Sequence, residues 1–211
     1  NTYTYLGGQT VQTGITSTSP VKRTLQQRLD EQVSIKSFGA AGDGSDQTVA
    51  IQRAIDQLYI NSSTKGTEES RAILYFPPGI YKITSTIYIP PFASIVGAGK
   101  DKTKFNVTNN VVVFQTVNES STPGNYANDS SSTTINQPRQ IVMKDFTVAT
   151  TQTTQPVLKL QSCKMSNFEN IRITGPWTTG TAITRANAGL ELSSLSNVVC
   201  TQENKFDHVS V

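Results

Sequence analysis

Apolar and polar residues alternate in short runs along most of this chain, and the runs recur. VVVFQT (111–116), VLKLQS (157–162) and LELSSL (190–195) each set two apolar residues one position apart and then turn polar. The pairs are Val112 with Phe114, Leu158 with Leu160, and Leu190 with Leu192. A second series, MKDFTV (143–148), FENIRI (168–173) and FDHVSV (206–211), pairs Phe146 with Val148, Ile171 with Ile173, and Val209 with Val211. Successive side chains on a strand point to opposite faces, so each pair marks a buried face. Phe146 and Ile171 stand 25 residues apart, and Ile171 and Val209 stand 38 apart, which reads as one repeat plus an insertion of about 13. A repeat of about 25 residues with two or three short strands is a coil of a β-solenoid, in which equivalent apolar residues stack ~4.8 Å apart. Asp145, Asn170 and His208 fall just before each inward pair and read as a stacked polar ladder at a corner.

The window Val33–Leu58 departs from this rhythm. An apolar strand (Val33, Ile35, Phe38) runs into a turn holding Gly39, Gly42, Asp43, Gly44 and Asp46. A helix follows, with Val49, Ala50, Ala54, Ile55 and Leu58 near helical spacing. Asp46 and Thr48 are its available N-caps, because their oxygens can accept from the first free backbone N–H groups. Such a strand–turn–helix suits a plug across the open end of the solenoid. Downstream, 61–71 reads as a loop, Ala72 to Phe76 as a strand, and IYKITSTIYI (80–89) as one half-buried strand ended by Pro90 and Pro91. SIVGAG is a further strand with a glycine corner.

Upstream, residues 1–20 are polar and turn-rich and read as an arm that orders against a partner. Val21, Leu25, Leu29 and Val33 recur every fourth position on an otherwise polar stretch, so residues 21–33 read as a neck helix. Its narrow stripe suits a seam between chains, or packing on its own β-helix. Residues 117–140 form a Ser-, Thr- and Asn-rich insertion that should protrude or pack on a neighbouring chain. Four glycosylation sequons occur, at Asn61, Asn106, Asn118 and Asn128, a number that chance explains in so polar a chain.

SFGAAGDGSDQTVAIQRAI, then ILYFPPGIYKITSTIYIP, then SIVGAGKDKTKF resembles the start of pectate-lyase-like, single-stranded right-handed β-helix proteins, with Ser37 where the family often has Asp. PVKRTLQQRLDEQVSIKSFGA is similar to the neck that leads into the β-helix of many phage tailspikes. The resemblance implies an all-β fold: a right-handed parallel β-helix capped by a short amphipathic helix, preceded by an arm (1–20) and a neck helix (21–33), with cap and first rungs over 34–211. It implies a homotrimeric tailspike or tail fibre, extracellular on the virion. Residues 1–33 would attach to other tail or baseplate proteins, and a distal region would bind, and in some members cleave, host surface polysaccharide. The chain stops directly after a strand, which is expected of the N-terminal part of a longer polypeptide.

Composition narrows the alternatives. The 211 residues carry a net charge of +3 with Lys and Arg scattered, which argues against nucleic acid. No apolar run approaches the ~20 residues of a membrane span, and residues 1–20 lack a signal-peptide pattern. Two cysteines, Cys163 and Cys200, allow one bridge but read as free thiols in the rungs. One histidine and no clustered cysteine leave no metal site, and no cofactor is expected.

Candidate chemistry is sparse. Glycoside cleavage commonly uses two carboxylates ~5–5.5 Å or ~6.5–9.5 Å apart. Lys144, Glu169 and Asp207 share a row in the repeat alignment, so Glu169 and Asp207 are the candidates, against a reading as solvated charges on the outer face. Trp177, the sole tryptophan, is a candidate sugar platform or a loop-base filler. A second function class therefore stays open: a secreted β-helix glycosidase or lyase, such as a 1,3-glucanase, which shares the GDG and FPPG motifs.

Overall fold

The computed structural model describes residues 32–60, 72–152, 154–177 and 188–211. Val21, Leu25 and Leu29 lie outside them. The described chain is mostly β, with parallel strands in curled sheets and one short α-helix. Its strands run in parallel ladders that the chain visits in turn.

The first ladder joins β1 (Gln32–Ser34), β3 (Ile73–Phe76), β6 (Ser94–Gly97), the first half of β9 (Val142–Thr150), the first half of β11 (Asn167–Thr174) and β13 (Lys205–Asp207). The second joins β2 (Asp43–Asp46), β4 (Gly79–Ile83), β7 (Thr103–Val107) and the second halves of β9 and β11. The third joins β5 (Ile87–Ile89), β8 (Phe114–Thr116), β10 (Leu158–Gln161) and β12 (Leu190–Ser193).

Each ladder buries an apolar column. Leu74, Ile95, Met143 and Phe168 stand in register on the first, and Tyr81, Phe105, Val148 and Ile173 on the second. Ile87, Phe114 and Leu158 do so on the third. The columns meet at Phe105, whose ring packs edge-to-face on Phe76, Phe114 and Phe146 with centroids 5.1–5.3 Å away. Such pairs add about 0.5–1.5 kcal/mol each beyond burial. At the far end β12 and β13 have one neighbouring strand each among the described residues, and Leu192 on β12 is 50% exposed.

The predicted repeat is present. Phe146 stands opposite Ile171, 25 residues on, and Phe168 opposite Phe206, 38 residues on. One alignment shifts by two: Phe114, not Val112, faces Leu158. The cause is Thr116, which turns inward and is buried, with its hydroxyl accepting from the Gln161 N–H at 2.8 Å. A polar residue sits where the apolar pattern expected a hydrophobe.

Other boundaries also move. Val33 pairs with Leu74 in β1, so the last residue assigned to the neck helix is a strand residue. Ile35–Phe38 is a 3₁₀ turn rather than strand, closed by Gly39 at φ 94°. The stretch 80–89 breaks into β4 and β5 because Thr84 turns the corner between ladders. Its N–H donates to Thr48 Oγ1 (2.8 Å) and its hydroxyl to Asp46 Oδ2 (2.8 Å).

The helix α1 (Thr48–Ile55) caps the core. Its inward face is Ile51, Ala54 and Ile55; Val49, predicted to face inward, is 69% exposed. Asp46 supplies the cap, accepting from the Thr48 N–H at 3.0 Å.

The insertion 117–140 folds back on its own chain. Gln137 is buried and donates to the carbonyls of Ser162 (2.9 Å) and Cys200 (3.1 Å). Asn118 is fully buried, with its amide on Asn128 O and Ser131 Oγ, so that sequon is closed. Both cysteines are free thiols, Cys163 buried and Cys200 half-buried.

Candidate functional site

Register places Glu169 between Lys144 and Asp207 on the outer face of the first ladder. The three α-carbons therefore step along neighbouring strands, ~4.8 Å apart. Glu169 and Asp207 are half-buried, with Lys144 on one side. Asp207 is engaged from its own strand: His208 Nδ1 lies 2.6 Å from its carboxylate and Lys205 Nζ 3.8 Å. The row thus presents two neighbouring carboxylates among cations, an arrangement able to hold hydroxyl-rich or cationic groups.

Just inside this row runs the corner where ladder one passes to ladder two. Asp145, Asn170 and His208 all have left-handed backbones there, with φ 64°, 53° and 51°. Asn170 donates its amide to the Asp145 carboxylate at 2.6 Å. Asn and Asp tolerate this region because their short polar side chains bond locally. A second left-handed row, Phe92, Gln140, Met165 and Glu203, turns the chain into ladder one. Its amides tie neighbouring passes together, with Phe92 N–H on Arg139 O, Gln140 N–H on Lys164 O and Met165 N–H on Gln202 O.

Trp177 does not stand out as a platform. It is half-buried, packs on the core cluster, and lines a pocket of about 420 Å³ with Ile173, Gly189 and Val211. Its ring lies over Gly175, where an added Cβ would come within 2.2 Å of it.

A larger cleft, about 650 Å³, opens between α1, the β4–β5 corner and residues 123–126 of the insertion. Tyr88 and Tyr126 stack there, with centroids 4.3 Å apart and planes 18° from parallel. Tyr126 donates to Asp56 Oδ2 at 2.8 Å, and Gln52 Nε2 to Asp56 Oδ1 at 2.9 Å. Burial, reinforced by the Asp56 carboxylate, pushes the Tyr126 hydroxyl up to about 12.

Residues 32–207 match the family described as "Rhamnogalacturonase A/epimerase, pectate lyase-like". The chain belongs to this family. Among solved structures it is similar to ORF18 of Geobacillus virus E2, at 25% identity and a TM-score of 0.50, over 70% of this chain and 26% of that one. Two curated relatives also match. One is a glucan 1,3-beta-glucosidase of Cochliobolus carbonum, 38% identical over 66 residues, or 31% of this chain. The other is a probable glucan endo-1,3-beta-glucosidase of Arthroderma benhamiae, 44% identical over 69 residues, or 32% of this chain. The matched part spans 7% of the length of each of these relatives.

Among the described residues of this pectate lyase-like chain, no three His, Cys, Asp or Glu side chains converge on a point that could hold a metal ion. No described helix is long and apolar enough to cross a membrane. The cleft beside α1 leaves no signal in the sequence pattern. Tyr126 and Asp56 are 70 residues apart, and no local pattern links them.

Proposed function

We propose that this chain is the N-terminal part of a phage tailspike or tail fibre, in which the three ladders are the first rungs of a right-handed parallel β-helix. The observation that carries this reading is the likeness to a virus protein over most of the chain. Residues 1–33 attach the spike to other tail or baseplate proteins. Val21, Leu25 and Leu29 form the seam of a homotrimer, and Val33, in β1, follows it. The rungs hold a distal region against host surface polysaccharide, outside the host and on the virion. The action is mechanical: in-register apolar columns make a stiff rod, and three copies give multivalent attachment.

The test is the native mass in solution by light scattering, for this chain and for a Leu25→Asp/Leu29→Asp variant. A trimer that falls to monomer in the variant supports the spike and its seam. A monomer in both removes the reading.

The identities of 38% and 44% to glucan 1,3-glucosidases favour a second reading, a secreted β-helix glycosidase using the carboxylates of Glu169 and Asp207. Cleavage of β-1,3-glucan by the chain, abolished by Glu169→Gln and by Asp207→Asn, would establish it. No cleavage by the unaltered chain would dismiss it for this polypeptide.

A further inference from the structure

The cleft beside α1 is distinct in its construction from the Lys144–Glu169–Asp207 row. Its polar groups are held in place before any ligand arrives. Gln52 clasps the Tyr88 backbone, accepting its N–H at 2.8 Å, while donating to Asp56 at 2.9 Å. Asp56 in turn accepts from Tyr126 at 2.8 Å, which ties the insertion to the cap helix. A carboxylate offers about four acceptor positions, so Asp56 keeps two beyond these bonds. Arg53, one turn before Asp56, is exposed and adds donors at the rim. Two parallel tyrosine rings form the wall. The volume falls within the roughly 300–1,000 Å³ of small-molecule sites.

We propose that this cleft is a binding subsite for an uncharged pyranose chain. The C–H faces of a sugar ring suit an aromatic wall with a polar tip. Neighbouring hydroxyls donate to the open positions of Asp56 and accept from Arg53, using groups already positioned, so little ordering is lost on binding. The lining carries one anion, Asp56, and one cation, Arg53, and thus no net charge. A uronate would meet Asp56 as a like charge, so neutral hexoses are preferred. The proposal deepens the polysaccharide reading given above, and moves the contact from the ladder face to the cap.

The test is calorimetric titration of the full chain with maltohexaose, with laminarihexaose and with hexagalacturonate. We expect at least one neutral hexasaccharide to bind, and the galacturonate to bind more weakly. Asp56→Asn, which keeps the shape, and Arg53→Ala, which alters an exposed side chain, should each weaken binding about tenfold. Tyr126→Ala should do the same. Three results would overturn the subsite: no binding of either neutral sugar, tighter binding of the galacturonate, or binding that ignores the cleft variants. The trimer measurement stands apart from all three, so failure of the subsite and failure of the spike reading are distinguishable.

Discussion

Asn170 donates its side-chain amide to the Asp145 carboxylate at 2.6 Å across neighbouring strands, and both residues hold left-handed backbones (φ 53° and 64°). One side chain thus meets two needs at the corner, a tolerated positive φ and a bond between passes. Asn170→Ala removes both, and Asn170→Gly restores the backbone alone. We expect a loss of about 1–3 kcal/mol for Ala, with Gly intermediate. Asn170→Asp sets two carboxylates against each other, so it should lose at least as much as Ala at neutral pH. Urea melts of the three variants would check this. Equal losses in Ala and Gly would remove the backbone half of the argument.

Gln52 treats the exposed edge of β5 as a strand would. Its side-chain amide accepts the Tyr88 N–H at 2.8 Å and lies 3.4 Å from the Tyr88 carbonyl. An unpaired edge invites pairing with other chains. Gln52→Ala should therefore cost about 1–3 kcal/mol and raise the tendency to aggregate. Gln52→Glu keeps the acceptor but loses the donor to Asp56 and adds a like charge, so it should be at least as harmful. Thermal melts with light scattering give both readouts; a silent Gln52→Ala would mean that the helix covers β5 without this bond.

The two thiols should report on folding separately. Cys163 is fully buried, and burial pushes its thiol up to about 12, while Cys200 is half-buried at the surface. Thiolate is the reactive form. One equivalent of thiol should react with a disulfide reagent in native buffer, and the second only at the rate of unfolding. Two fast equivalents would show that the rungs around Cys163 open readily.

Much of this architecture was legible because β-structure leaves a period of two, and the repeat distance of 25 residues survives in the register of Phe146 and Ile171. The corner row Asp145–Asn170–His208 was legible for a related reason: short polar residues gather where φ turns positive. The helix face was misread, since Val49 and Ile51 are both aliphatic and only the direction of packing separates them. The corner at Thr84 was hidden because its partners, Asp46 and Thr48, lie 38 and 36 residues upstream. The insertion was harder still. Its composition is that of a loop, and its order comes from Gln137, Asn118 and Tyr126 reaching partners that no local pattern announces.

Asp46 links the start of α1 to the corner between β4 and β5, so the cap should be sensitive to acid. Partial burial alone raises its pKa, but hydrogen bonds from the Thr48 hydroxyl and N–H and the Thr84 hydroxyl, with the charge of Lys82, outweigh that and hold it below the usual carboxylate range. A depressed folded-state pKa means that the carboxylate contributes stability above its unfolded value, ~3.9, and loses it as pH falls through the lower folded value. Asp46→Asn should therefore be less stable than the unaltered chain at neutral pH, with a gap that is flat down to about pH 5 and closes below about 4. Asp43 is lowered as well, by bonds from the Ser45 hydroxyl and N–H, so the same experiment on Asp43→Asn gives a companion curve. Urea melts from pH 7 to pH 3 would decide the matter. A gap that stays constant or widens in acid would show that Asp46 acts through shape alone and that its charge does not hold the cap.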